Sequence, residues 1–173
     1  MISVTIQGLS EFKDKVQKYR KSMPERKKEF LMKLAEIGID TADINFKRAH
    51  YDGVNDVTVS PTPKWHGSNT LIISATGQTI TFIEFGTGIT YADDHPLAQE
   101  FGMIRGEYGQ GKGKQDSWVY YGEEGTMGEW LRTVDNQYVI RTRGNPANRC
   151  MYDAGKKMRD EIEKIAKEVF RFD

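Results

Sequence analysis

Hydrophobic and polar residues alternate with two different periods along this chain. At the start, Ile2, Val4 and Ile6 alternate with Ser3 and Thr5, which predicts a short strand with one buried face, ended by Gly8. From Leu9 the period changes. Leu9, Phe12, Val16, Tyr19 and Met23 step by three or four residues, predicting an amphipathic helix with Ser10 as its N-cap. Pro24 is expected to close that helix and open a second, which runs to Ala49 with Phe30, Leu34, Ile37, Thr41 and Ile44 on one stripe and Leu31, Ala35 and Ala42 beside it. At 1.5 Å per residue the second helix would be about 40 Å long.

After the Asp52-Gly53 turn, three runs read as strands: Val54–Ser60, Asn69–Thr76 and Thr79–Phe85. Gly77-Gln78 fits a two-residue hairpin connection, while Pro61, Pro63, Trp65, His66 and Gly67 make an irregular link. This pattern places Glu84 at the end of a hairpin strand, just before the turn Gly86-Thr87-Gly88. Residues 86–116 are rich in glycine and charge and poor in aliphatics, so a long insertion is expected there, of the kind that is usually functional. Ser117–Gly122 and Gln137–Thr142 return as aromatic strands around a second irregular stretch containing Trp130. Asn145 as N-cap and Pro146 at the first helical position announce a last helix, whose stripe is Ala147, Met151, Ala154, Met158, Ile162, Ile165 and Val169, flanked by Cys150 and Ala166. No internal repeat is present.

Composition narrows the class. The chain has 173 residues, 38% hydrophobic and 29% charged, which suits one globular domain, and its mean hydropathy of -0.64 fits helices with one wet face. Twenty-five Lys and Arg balance twenty-five Asp and Glu, so there is no global charge to draw nucleic acid or a membrane. The basic residues of the second helix, Arg26, Lys27, Lys28, Lys33, Lys47 and Arg48, mix with Glu25, Glu29, Glu36 and Asp40 and read as a solvated face. Cys150, the one cysteine, has no intrachain disulfide partner and reads as a small core residue. With no leader-like start and no long apolar run, synthesis and use in the cytosol, or in an assembly built there, is the expectation.

Candidate chemistry is sparse. Gly106 to Lys112 matches the GxxxxGK spacing of a phosphate loop, but Gly113 stands where Ser or Thr should hold magnesium and no helix follows. No HExxH, CxxC or GxSxG motif occurs. An acid-base or metal site is conceivable only if His66, Glu84, Asp93 and His95 converge in space. A nucleic-acid module would have to use the second helix with Lys112 and Lys114. Glu84 itself reads better as a structural carboxylate, accepting hydrogen bonds from the backbone of residues 86–88 or pairing with an arginine, because the sequence places no chemical partner beside it.

The segments Phe82-Ile83-Glu84-Phe85-Gly86-Thr87-Gly88 and Gly144-Asn145-Pro146-Ala147-Asn148-Arg149-Cys150-Met151-Tyr152-Asp153-Ala154-Gly155, in this order and after two helices, resemble the head-tail connector family of tailed bacteriophages. These are small neck, tail-completion or minor tail proteins. Over Val4 to Val169 the resemblance is carried by Glu84, Phe85, Gly86, Thr87 and Gly88 and by Pro146, Met151, Tyr152 and Ala154. The long region between the segments, with Lys112 and Lys114, is similar to insertions in relatives from Gram-positive prophages.

The resemblance implies a single α+β domain, residues 1–173. Long amphipathic helices would pack on a mostly antiparallel sheet, with a flexible insertion at about 86–116. It also implies a non-enzymatic, cofactor-free virion protein that assembles in the host cytoplasm. Its partners would be copies of itself in a ring, commonly a hexamer, a head-side connector or adaptor, and a tail-tube or tail-terminator protein. No membrane would be involved, and nucleic acid only incidentally, in a DNA channel.

Overall fold

The computed structural model describes residues 8–88, 95–104, 115–122 and 128–172. The expected strand at Ile2–Ile6 and the basic tip with Lys112 and Lys114 lie outside them. Helices and small antiparallel sheets combine in an α+β fold. In chain order the elements are α1 (Leu9–Arg48), β1 (Thr58–Val59), β2 (Lys64–His66), β3 (Thr70–Ile72), β4 (Ala75–Thr76), α2 (Ile80–Phe85), β5 (Trp118–Gly122), β6 (Glu129–Val134), β7 (Gln137–Thr142) and α3 (Cys150–Val169).

The two expected N-terminal helices are one. α1 runs unbroken through Pro24 for 40 residues, about 60 Å. It starts at Gly8 in a left-handed conformation, whose carbonyl accepts from Phe12 N–H at 3.0 Å, and Ser10 makes no cap. A proline inside a helix forfeits a backbone bond and costs about 3 kcal/mol. Here the apolar stripe keeps its phase from Met23 to Phe30, and the end of α3 grips the helix on both sides of the proline. Tyr19 Oη donates to Phe170 O at 2.7 Å, and its ring meets Phe172 edge-on at 5.1 Å. Arg26 Nη1 donates to Val169 O and Arg171 O. Two helical segments held to one anchor stay joined as one helix.

α3 lies along α1, and their seam holds most of the core. One cluster joins Ile39, Ala42 and Phe46 of α1 to Cys150 and Ala154 of α3, with Val59 and Ile83; a second joins Leu34 to Ile165 and Val169. Gly38 makes the close approach possible, since a β-carbon there would stand 2.4 Å from Met158 Sδ and 2.5 Å from Ile73 Cδ1.

Instead of one sheet, the described residues form three small antiparallel ones: β1 with β4, β2 with β3, and β5-β7-β6. The irregular link at Trp65 and His66 proves to be a hairpin strand, with Trp65 opposite Leu71. The irregular stretch at Trp130 is strand β6, joined to β7 by Asp135-Asn136, both at positive φ, with a bulge between Trp130 and Arg132. Positive φ at both central residues is what a tight hairpin requires, and Asp and Asn tolerate it best after glycine. Among the described residues no helix is long and apolar enough to cross a membrane.

The expected strand Thr79–Phe85 is not the second strand of a hairpin at Gly77-Gln78: Ile80–Phe85 is a helix, with Thr79 at its N-cap position. The backbone leading into it is held from a distance: Asp56 accepts from Gln78 N–H at 2.7 Å, from Thr79 N–H at 3.0 Å and from the Thr79 hydroxyl. Ile83 N–H then closes the turn on Thr79 O at 3.0 Å. Burial of Ile83 and Glu84 side by side overrides the β-preference of Ile, Thr and Phe.

Phe46, 2% exposed, should cost about 3–5 kcal/mol when replaced by alanine, whereas Phe12→Ala on exposed α1 should change the urea midpoint little. The hydrogen bonds from Thr79 and Gln78 hold the Asp56 carboxyl below its ordinary value of 3.8. The stability it contributes is therefore fully present above that value and is lost as pH falls below it and through the lower value of the folded state. Asp56→Asn should flatten that acid limb in thermal scans followed from pH 6 to pH 2.

Candidate functional site

Glu84 is 6% exposed, and its carboxylate meets the first turn of α3. Oε2 accepts from Met151 N–H at 2.8 Å and Oε1 from Tyr152 N–H at 3.0 Å, two of the donors that a helix start leaves unpaired. Oε1 also meets His95 Nε2 at 3.1 Å. The backbone of α2 continues the join: Ile83 O accepts from Asn148 N–H and Asn148 Nδ2, and Glu84 O accepts from Arg149 N–H at 3.1 Å. A carboxylate at the positive end of a helix, in low dielectric, is a strong cap.

This geometry corrects two expectations. Glu84 takes its bonds from Met151, Tyr152 and His95, not from residues 86–88 or an arginine. Helix α3 begins at Cys150 rather than at Pro146, behind Arg149 in a left-handed conformation at φ 53°. The Asn145-Pro146 signal fails because that backbone is engaged elsewhere. Thr87 and Asn145 exchange backbone hydrogen bonds at 2.9 and 3.0 Å as an isolated antiparallel bridge. Asn145, instead of capping, accepts from Asp52 N–H through Oδ1 and donates to Thr87 Oγ1 through Nδ2. The chains approach so closely that a β-carbon on Gly144, at φ 108°, would lie 2.0 Å from Thr87 O, and one on Gly88 2.4 Å from Arg143 O.

His95 Nδ1 accepts from Leu97 N–H at 3.1 Å. The hydrogen of a neutral ring therefore sits on Nε2 and is donated to Glu84. The Phe85 ring lies tilted against the imidazole at 4.3 Å, Tyr152 meets it edge-on at 5.4 Å, and Phe101 packs behind Phe85 at 5.8 Å. Beside the carboxylate, the buried Cys150 thiol is pushed up to about 12, first by burial and then by the negative charge of Glu84. It is held as the thiol, which is a poor nucleophile.

The two signature segments thus meet in one knot: Glu84, Phe85 and Thr87 on one side, Met151 and Tyr152 on the other, with Pro146 O accepting from Asn148 and Ala154 in the core behind. Of the proposed acid-base group, Glu84 and His95 converge, His66 lies exposed on the β2–β3 hairpin without joining them, and Asp93 falls outside the described residues. Among the described residues no three His, Cys, Asp or Glu are grouped to hold a metal. Sequence reasoning missed Asn148, Asp52 and Asp56, which work through backbone contacts far along the chain. Asp52 also accepts from Thr142 Oγ1 at 2.8 Å, and its charge helps burial push the Tyr120 phenol up to about 12. No family model, no curated protein and no solved structure matches this chain.

Replacing Glu84 by alanine should cost about 3 kcal/mol, because two backbone donors and an imidazole N–H lose their acceptor together. His95→Ala, which leaves both backbone bonds intact, should cost less in the same denaturation series. Gly144→Ala should be as damaging as Glu84→Ala through close contact and strain, despite adding only a methyl group.

Proposed function

We propose that this chain is a non-enzymatic structural protein of a tailed phage or prophage, a neck or tail-completion subunit that joins head to tail as part of an oligomeric ring. The observation that carries the reading is the knot itself. The two stretches that resemble the connector family, far apart in sequence, are the two stretches that Glu84 and the Thr87–Asn145 bridge tie together. Residues of a family signature that pack on one another serve a shared framework, and here the framework is the start of α3.

The disposition of Glu84 also favours architecture over chemistry. A general acid or base must reach a substrate proton within hydrogen-bond distance. Both oxygens of Glu84 are occupied by backbone donors, and His95, which shares one of them, is 4% exposed and uses its second nitrogen on Leu97. In this reading the insertion at about 86–116, apart from the stretch with His95 and Phe101 that packs on Glu84 and Phe85, supplies contacts to the neighbouring subunits, the head-side connector or the tail tube.

Electron micrographs of particles from a phage or induced prophage lacking this gene test the assignment. Full heads separated from tails, or tails of aberrant length, are expected, and complementation by the wild-type chain should restore joined virions. Normal tailed virions without the protein would overturn it.

A further inference from the structure

The first third of α1 stands away from the body: every residue from Gly8 to Lys18 is exposed. A helical extension of that length is marginal in water unless its apolar face is covered. That face exists. At about 100° per residue, Leu9, Phe12, Val16 and Met23 fall within a sector of about 60°. Their exposures are 44%, 57%, 39% and 38%. Lys13 and Arg20 border the sector on one side and Lys15 on the other, while Glu11 and Asp14 lie toward the back. From Leu9 to Lys21 five cations stand against two carboxylates, a net charge of +3.

The far part of the same helix has the opposite character. Between Leu34 and Phe46 there are three acids, Glu36, Asp40 and Asp43, and no Lys or Arg, a net charge of −3. On its solvent side Ile44 is 47% exposed, with the exposed Glu36 and Asp40 beside it; Ile37, seven residues earlier, keeps only part of its surface in water because it also packs against the Leu34, Ile165 and Val169 cluster. Among the described residues, ion pairs and side-chain hydrogen bonds engage none of Lys13, Lys15, Lys18, Arg20, Lys21, Glu36 or Asp40, although Asp43 pairs with Lys47. The apolar spacings also agree. Leu9 and Val16 are seven residues apart, as are Ile37 and Ile44, so both pairs repeat after two turns on one face.

We infer that the basic arm of α1, Leu9 to Lys21, docks on the acidic solvent face of α1, Glu36 to Ile44, of a second copy of this chain. Sequence position forbids the contact within one straight helix, so it must form between copies. Each copy both gives and receives an arm, which makes the contact heterologous, and such contacts generate rings where the rotation closes and chains where it does not. Arms cannot pair with arms, because their cationic borders repel. The surface is small, so a single contact is weak, and charge makes it salt-sensitive. The inference rests on exposure and charge, independently of the virion assignment.

Analytical ultracentrifugation of the full-length chain over a concentration series tests it. Wild type should self-associate, more weakly as salt rises. The arm variant Lys13→Glu with Lys15→Glu and the face variant Glu36→Lys with Asp40→Lys should each lose at least about tenfold in association. Mixed together they should reassociate, since each variant's arm then faces a surface of opposite sign. All four positions are solvent-exposed, and circular dichroism checks that both variants remain folded. A wild type that stays monomeric at every concentration, variants that associate like wild type, or a mixture that stays dissociated would each overturn the inference, while particle phenotypes bear separately on the virion role.

Discussion

A buried carboxylate at the start of a helix is the constraint on which the rest of this structure depends. Glu84 is removed from water, so it needs donors, and the first turn of α3 has N–H groups in need of an acceptor. Each solves the other's problem. Through that exchange the short helix α2 is fixed against α3, His95 is drawn in as a third donor, and the chain after Phe85 is led into the bridge with Asn145. Because α3 is also the partner of α1 along the main core, one buried side chain registers the middle of the chain on its longest helices.

α1 is the second organising feature, and its two ends do different work. From Phe30 to Phe46 it lends its apolar face to α3 and the small sheets. Around Pro24 it is clamped by Tyr19 and Arg26 to the carbonyls that end α3. Beyond that clamp it projects as a basic arm. The same helix is core, brace and extension in turn, and its charge changes sign as it goes from extension to core.

Much of this was legible in the pattern of residues where local periodicity decides the outcome. The stripe of Phe30, Leu34 and Ile37, the strands at Trp118–Gly122 and Gln137–Thr142 and the body of α3 are all of that kind. It was illegible where a distant group decides. Nothing in Thr81-Phe82-Ile83-Glu84-Phe85 announces a helix, because the backbone leading into it is held by Asp56 and the requirement for Glu84 comes from α3. Asn145-Pro146 looks like a helix start until the bridge to Thr87 claims its backbone. Pro24 looks like a break until Tyr19 and Arg26 are seen to share an anchor. At the candidate site, the sequence pointed to Glu84 as an acceptor of backbone hydrogen bonds, but the expected donors were those of residues 86–88, whereas the actual ones lie 67 and 68 residues away, with His95 as a third.

The account turns on Glu84 acting as the cap of α3, and amide hydrogen exchange followed residue by residue reads that contact directly. In the native protein, Met151 and Tyr152 amides should exchange slowly for first-turn positions, and in Glu84→Gln, which keeps the shape and removes the charge, their protection should fall while that of Ile165 and Val169 at the far end of α3 persists. Unchanged protection at Met151 and Tyr152 would contradict the account, because the start of the helix would then be held by something other than this carboxylate.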